Sequence, residues 1–156
     1  MNIAATPSAS LMAQLRAELM AHVPFAQMKP AEVERFVAAA RQVYFAPDET
    51  LLSPESGVAT QLLYLRQGSV TGRRGLADAA GGFQYEPGDL FPVGAVLGER
   101  AVTATYQAHE DCFCLLVPAA VVRDLAAGSA PFADFLNRRV GPDRGPELAS
   151  ALDVQP

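Results

Sequence analysis

The side chains and turns of this chain with the types and spacing for chemistry are concentrated between Glu86 and Thr105. The stretch reads Glu86-Pro87-Gly88-Asp89-Leu90-Phe91-Pro92-Val93-Gly94-Ala95-Val96-Leu97-Gly98-Glu99-Arg100-Ala101-Val102-Thr103-Ala104-Thr105. Pro87-Gly88 is a turn pair: proline presets φ at the first central position and glycine accepts a positive φ at the second. Pro92 suits the first position of a helical turn, where its missing N–H costs nothing. Gly98 suits the stop, because glycine takes the left-handed conformation cheaply. A short helix held between two strands points free N–H groups outward and can hold a phosphate. Arg100 is the cation at hand, Glu99 the carboxylate, and Thr103 a hydroxyl donor.

Other reactive residues carry plainer readings. Arg73-Arg74 stands among glycines at a hairpin tip, where a basic pair could meet an anionic ligand but a solvated tip is the ordinary outcome. Cys112 and Cys114 share one face of a strand. Structural zinc sites want a second Cys/His cluster, which this sequence lacks, so we read them as buried thiols. His22 reads as a helix end and His109 as a hairpin tip, with no Ser, Cys or Asp constellation about either. No P-loop, dinucleotide fingerprint or hydrolase elbow occurs.

The totals narrow the class. A length of 156 residues fits one domain with one real core. Hydrophobic content of 50% and charged content of 19% fit a globular chain. The net charge of −5 argues against a nucleic-acid partner, whose affinity comes from clustered Lys and Arg. No apolar run approaches the ~20 residues of a membrane span. The start, Met1 to Pro7, lacks the basic opening of a signal peptide. The expectation is a soluble cytoplasmic protein with no membrane and no nucleic-acid partner.

Several elements must position the central stretch. Ser8 or Ser10 can cap a first helix with Leu11, Leu15 and Leu19 on one stripe. His22-Val23-Pro24-Phe25 ends it. Pro30 opens a second helix with Val33, Phe36, Val37 and Ala40 inward. Short strands follow at Val43–Phe45, Thr50–Leu52, Gln61–Arg66, Ser69–Thr71 and Phe83–Tyr85. Further strands are expected at Val102–Ala108 and Cys112–Val117, split by His109-Glu110-Asp111. Such strands with Gly and Pro turns point to a sandwich or jelly roll. Pro118 opens a helix with Val121, Val122 and Leu125 inward. Pro131 opens the last, with Phe132, Phe135, Leu136 and Val140 inward. Gly141-Pro142 breaks it. The expected division is an N-terminal helix over 1–20, one domain over 21–140, and a linker or tail over 141–156.

The order of helices, about eight strands, then helices resembles a cyclic nucleotide-binding domain, the β-roll of the catabolite activator protein and of cyclic-nucleotide-gated kinases and channels. The likeness covers roughly residues 20–140. His22-Val23-Pro24-Phe25 resembles the segment that precedes the family's first strands. Tyr44-Phe45-Ala46-Pro47-Asp48-Glu49 is similar to its strand-turn of the aromatic-x-x-Gly-Glu kind. Leu63-Tyr64-Leu65-Arg66-Gln67-Gly68-Ser69-Val70 resembles its most recognisable hairpin. Gly88-Asp89-Leu90-Phe91 matches the lead into its phosphate-binding cassette. The resemblance implies a mainly β fold with flanking helices, a double-stranded β-helix or jelly roll.

The family's cassette normally reads Gly-Asp-x-Phe-Gly-Glu, a few small apolar residues, then Arg-Ser/Thr-Ala. Its Glu accepts from the ribose hydroxyl, and its Arg pairs with the cyclic phosphate. Aligned without gaps from Gly88-Asp89, this chain has Pro92-Val93 where Gly-Glu should stand and Val102 where Arg should stand. Thr103-Ala104 keep the last two places. The cassette is therefore degenerate, and its residues are Phe91, Val93, Gly94, Ala95, Arg100, Val102, Thr103 and Ala104. Arg100, two residues before the expected Arg, has the strand parity to face the same side and rescue an anion site. The plainer reading, which we prefer, is a solvent-facing arginine paired with Glu99.

The function implied is that of a regulatory or sensor domain in a bacterial signal-transduction protein, with weak or altered ligand binding. Nothing like a helix-turn-helix follows the last helix. Phe91-Pro92-Val93-Gly94 together with His109-Glu110-Asp111 resembles N-terminal domains of bacterial proteins that continue into CBS-domain pairs and a nucleotidyltransferase. The implied partners are a nucleotide or other small anionic ligand and the downstream domains or a protein partner, with no metal and no catalytic residue in this chain. The alternatives are an interaction module that binds no nucleotide, and a cupin-like enzyme, which would need a His/Glu metal cluster.

Overall fold

A computed structural model describes residues 8–75 and 82–139. Five α-helices are present among them: α1 Ala9–Met20, α2 Pro30–Ala39, α3 Val93–Gly98, α4 Ala119–Gly128 and α5 Ala130–Asn137. Eight strands lie between and around them: β1 Arg41–Phe45, β2 Thr50–Leu52, β3 Gln61–Gln67, β4 Val70–Arg73, β5 Phe83–Tyr85, β6 Leu90–Phe91, β7 Thr105–Ala108 and β8 Cys112–Pro118. They form two four-stranded sheets, ordered β1-β8-β3-β6 and β2-β7-β4-β5, with every pairing antiparallel. The expected mainly β fold with flanking helices is what the chain adopts.

The first sheet is buried on both sides at β3 and β6, and strand alternation explains how. On β3, Leu63 stands opposite Phe91 and Tyr64 opposite Leu90. Phe91 faces the second sheet, where its ring lies 5.6 Å from that of Tyr106. Tyr64 faces the helices, 6.1 Å edge-on from Phe25. β3 and β8 thus read as nearly continuous apolar runs. Phe25, Phe36 and Phe132 close the helical side, with Phe25 and Phe36 centroids 4.9 Å apart.

α1 shares this core. Leu15 and Leu19 are fully buried within it, and Ser8 caps the helix by accepting from the N–H of Leu11. A two-pronged ion pair fixes its pitch: Arg66 Nε and Nη2 on β3 donate to the Glu18 carboxylate at 3.1 and 2.9 Å. The anticipated inward faces of α2 and α4 hold at Val33, Phe36, Val37, Val122 and Leu125, whereas Val121 is only half-buried. On α5, Phe132 and Leu136 are buried, while Phe135 is half-buried beneath the Arg139 guanidinium at 3.6 Å. Val140 and the expected tail at 141–156 lie outside the described residues, as does most of the loop after Arg73-Arg74.

The hairpin turns behave as their residues require. Gly68 takes φ 99° between β3 and β4, where a Cβ would run into the Asp111 carbonyl. Gly72 on β4 is bare for a different reason: the Phe83 ring occupies the place of its side chain. β6, two residues long, is a strand with no signal in the sequence. The strand anticipated over Val102–Ala108 is regular only from Thr105, because residue 101 bridges to Val58 outside either sheet.

Candidate functional site

The turn at Pro87-Gly88 delivers the chain into β6, with Gly88 at φ 101°. Its N–H donates to the Leu65 carbonyl at 2.8 Å, and the Leu65 N–H donates to the Asp89 carbonyl at 3.0 Å. The Asp89 carboxylate accepts from the Glu86 N–H at 2.7 Å and braces the turn. Phe91-Pro92 is a cis peptide bond. Pro92 stands one place earlier than anticipated, as the cap of α3 and not its first residue. The exit also differs. Glu99, not Gly98, takes the left-handed conformation at φ 53°. Gly98 stays helical, and the Arg100 side chain lies across it with Nε 3.4 Å from where a Cβ would be.

The two positions where the resemblance expects a Glu and an Arg are both inside the protein. Val93 is 2% exposed and Val102 is 4% exposed. Gly94 and Ala95 are buried with Val93 in α3, and Ala104 is buried one residue beyond Thr103. Thr103 itself is exposed. Phe91 is buried in a stack of parallel rings, 4.4 Å from Tyr85 and 5.6 Å from Tyr106, with Tyr85 and Tyr106 5.7 Å apart. The stack fills the roll directly beneath β6. The Tyr106 hydroxyl is buried there without a hydrogen-bond partner.

Arg100 corrects the plainer reading held for it. It is neither solvent-facing nor paired with Glu99. It is half-buried, its Nη1 donates to the Ala101 carbonyl at 3.2 Å, and its Nη2 is buried with no hydrogen-bond partner. The residue that sequence reasoning missed is Arg123. From α4 its Nη1 donates to the Val96 carbonyl at 3.1 Å, and its Nη2 stands 3.9 Å from Glu99. It caps the carbonyl end of α3, where a cation is favoured. No local pattern announces this, because the two partners are 27 residues apart.

Cys112 and Cys114 are free, buried thiols, as their strand position implied. Burial pushes the Cys114 thiol up to about 12, with the neighbouring Cys112 adding to it. Cys112 is raised by burial as well, offset in part by backbone hydrogen bonding at Ser69 and Glu110. Both are protonated at neutral pH and poor nucleophiles. Among the described residues, no group of three or more His, Cys, Asp and Glu is placed to hold a metal ion. No described helix is long and apolar enough to cross a membrane.

No family model matches the chain, and no curated protein does. Solved structures do. The regulatory domain of Toxoplasma gondii PKA with cAMP superposes at a TM-score of 0.71 with 16% identity, over 82% of this chain and 49% of that one. The sensor domain of the transcriptional regulator DNR from Pseudomonas aeruginosa gives 0.67 and 17%, over 80% and 89%. The fold is that of a cyclic nucleotide-binding domain. A cAMP-binding acyltransferase from Mycobacterium smegmatis shares it too, at 0.66 and 22%, over 83% of this chain and 40% of that one. The chain thus spans about half or less of the first and third of these neighbours and most of the sensor domain. Within this fold, the segment aligned with the cassette forms a turn, a short helix and a contact with α4. It lacks a carboxylate at 93 and a guanidinium at 102.

Proposed function

We propose that this chain is a regulatory, sensing domain of a bacterial signal-transduction protein, with cyclic-nucleotide binding weakened or replaced. The observation that carries the reading is the burial of Val93 and Val102 at the places where the resembled cassette carries its Glu and Arg. A buried valine accepts no ribose hydrogen bond and pairs no phosphate. Each charge-assisted contact is worth ~1.5–3 kcal/mol, so two losses weaken binding by roughly a thousandfold.

The output is conformational. A ligand or partner that moves α3 moves the Val96 carbonyl, and with it Arg123 and the packing of α4 and α5 on the roll. Whatever the parent chain attaches to those helices is then biased by population shift. The domain itself carries no catalytic residue in this reading. A CBS-domain pair and a nucleotidyltransferase further along the parent chain are the class of output it would govern, and the setting would be cytoplasmic.

Thermal melting against a panel of nucleotides, cAMP and cGMP among them, tests the reading. A small stabilisation that needs millimolar nucleotide supports a weakened site. Stabilisation that saturates at micromolar nucleotide contradicts it. A second reading, an interaction module that binds no nucleotide, is favoured by one observation: Phe113 is 43% exposed and packs its ring 5.2 Å from Tyr44 along the edge of the first sheet. Silence across the panel would favour that module or a different ligand.

A further inference from the structure

A cleft of about 300 Å³ opens between β2, the loop over residues 53–60, and Val102. Its walls are apolar: Phe45, Leu52, Leu63, Val102 and Leu116 face it. Its polar side chains are neutral, namely Ser56, Thr60 and Gln61, and none of the lining residues is charged. Val58 stands at its rim, 57% exposed, an apolar side chain without cover.

We propose that this cleft binds a neutral, mainly apolar small molecule. The volume falls at the lower end of small-ligand pockets, ~300–1,000 Å³, so the occupant is compact. The lining excludes an anion: a phosphate or carboxylate would lose its hydration and meet no cation, since the Arg100 guanidinium is turned onto Gly98 and Ala101. An apolar molecule would gain by covering Val58 and the inner walls. Two or three hydrogen bonds to Ser56, Thr60 or Gln61 would orient it.

The cleft is wired to both ends of the switch. Val58 bridges to Ala101, and the Ala59 N–H donates to the Arg100 carbonyl at 3.0 Å. The Ala119 N–H at the start of α4 donates to the Thr60 carbonyl at 2.8 Å. An occupant that moves the 53–60 loop therefore pulls on the cassette and on α4 together. The site stands on its walls alone; its role as the sensed input rests on the sensor reading above.

The test is a fluorescence titration with the neutral probe N-phenyl-1-naphthylamine. Four proteins are compared: wild type, Val58→Trp, which fills the cleft from its exposed rim, Leu52→Trp, which fills it from β2, and Phe113→Ser on another surface. We expect saturable one-to-one binding, weakened about tenfold or more by either tryptophan, unchanged by Phe113→Ser, and not displaced by cAMP. No saturable signal in the wild type, an affinity indifferent to both tryptophans, or displacement by micromolar cAMP would overturn the assignment. Hydrogen exchange over residues 119–137 separates the two claims. Probe binding as expected with unchanged exchange keeps the site and removes the sensor role. No probe binding, with melting that responds to nucleotides, removes the site and keeps the sensor.

Discussion

The Arg123 guanidinium on α4 donates to the Val96 carbonyl at the end of α3, at 3.1 Å. This bond links α3 to the C-terminal helices. Arg123→Ala should destabilise the domain by about 1–2 kcal/mol, the worth of a partly exposed charge-assisted bond. Its more telling effect should be faster hydrogen exchange in both α3 and α4. Faster exchange in α4 alone would mean that the two helices are not coupled through this contact.

Val102 stands where the resembled cassette carries a phosphate-binding guanidinium. Val102→Arg would place a charge at a buried site with no carboxylate opposite, and should cost about 3 kcal/mol or more in urea unfolding. Millimolar cAMP should not restore the loss, because Val93 still supplies no carboxylate. Full recovery by cAMP would show that the cassette remains competent and that residue 102 alone disables it.

Tyr106 gives a prediction of opposite sign. Its ring packs beside both Phe91 and Tyr85, but its hydroxyl is buried with no hydrogen-bond partner. Removing a buried, unpaired hydroxyl relieves a desolvation cost, so Tyr106→Phe should stabilise the domain by about 1 kcal/mol. A loss of stability of that size would mean that the hydroxyl is paired in solution.

The Cys114 thiol makes stability depend on pH at the alkaline end. Its folded value, about 12, lies above the ordinary 9.0. The contribution is therefore fully present below pH 9.0 and is lost as pH rises toward about 12, where the unfolded chain sheds its proton first. Cys112 shifts in the same direction. Unfolding free energies measured from pH 8 upward should fall above pH 9, with a shallower fall in Cys114→Ala. An identical slope in that variant would assign the effect to other groups.

The sequence made legible what is set locally. The Gln67-Gly68 and Pro87-Gly88 turns announce themselves by residue type, and alternation marks the strands that flank them. Val93 and Val102 could be placed because the Gly88-Asp89-Leu90-Phe91 lead fixes the register of the cassette. The contacts that escaped are non-local. Nothing near Glu18 indicates that Arg66 will meet it 48 residues away, and nothing near Val96 points to Arg123. The ring stack of Tyr85, Phe91 and Tyr106 was in principle accessible. Phe83 and Tyr85 share one parity, Tyr106 and Ala108 another, and the hairpin registers bring those sets to the inside. The conformation of Arg100 was not accessible, since it depends on Glu99 taking the left-handed turn that Gly98 was expected to take.

In the proposed function, the segment from Gly88 to Ala104 keeps the scaffold of a cyclic-nucleotide site without its two charged contacts. The most direct test is the dissociation constant of cAMP for the wild-type domain, measured by titration calorimetry. The account predicts about 1 mM or weaker, a thousandfold short of a micromolar site. A one-to-one isotherm with a micromolar constant would contradict it.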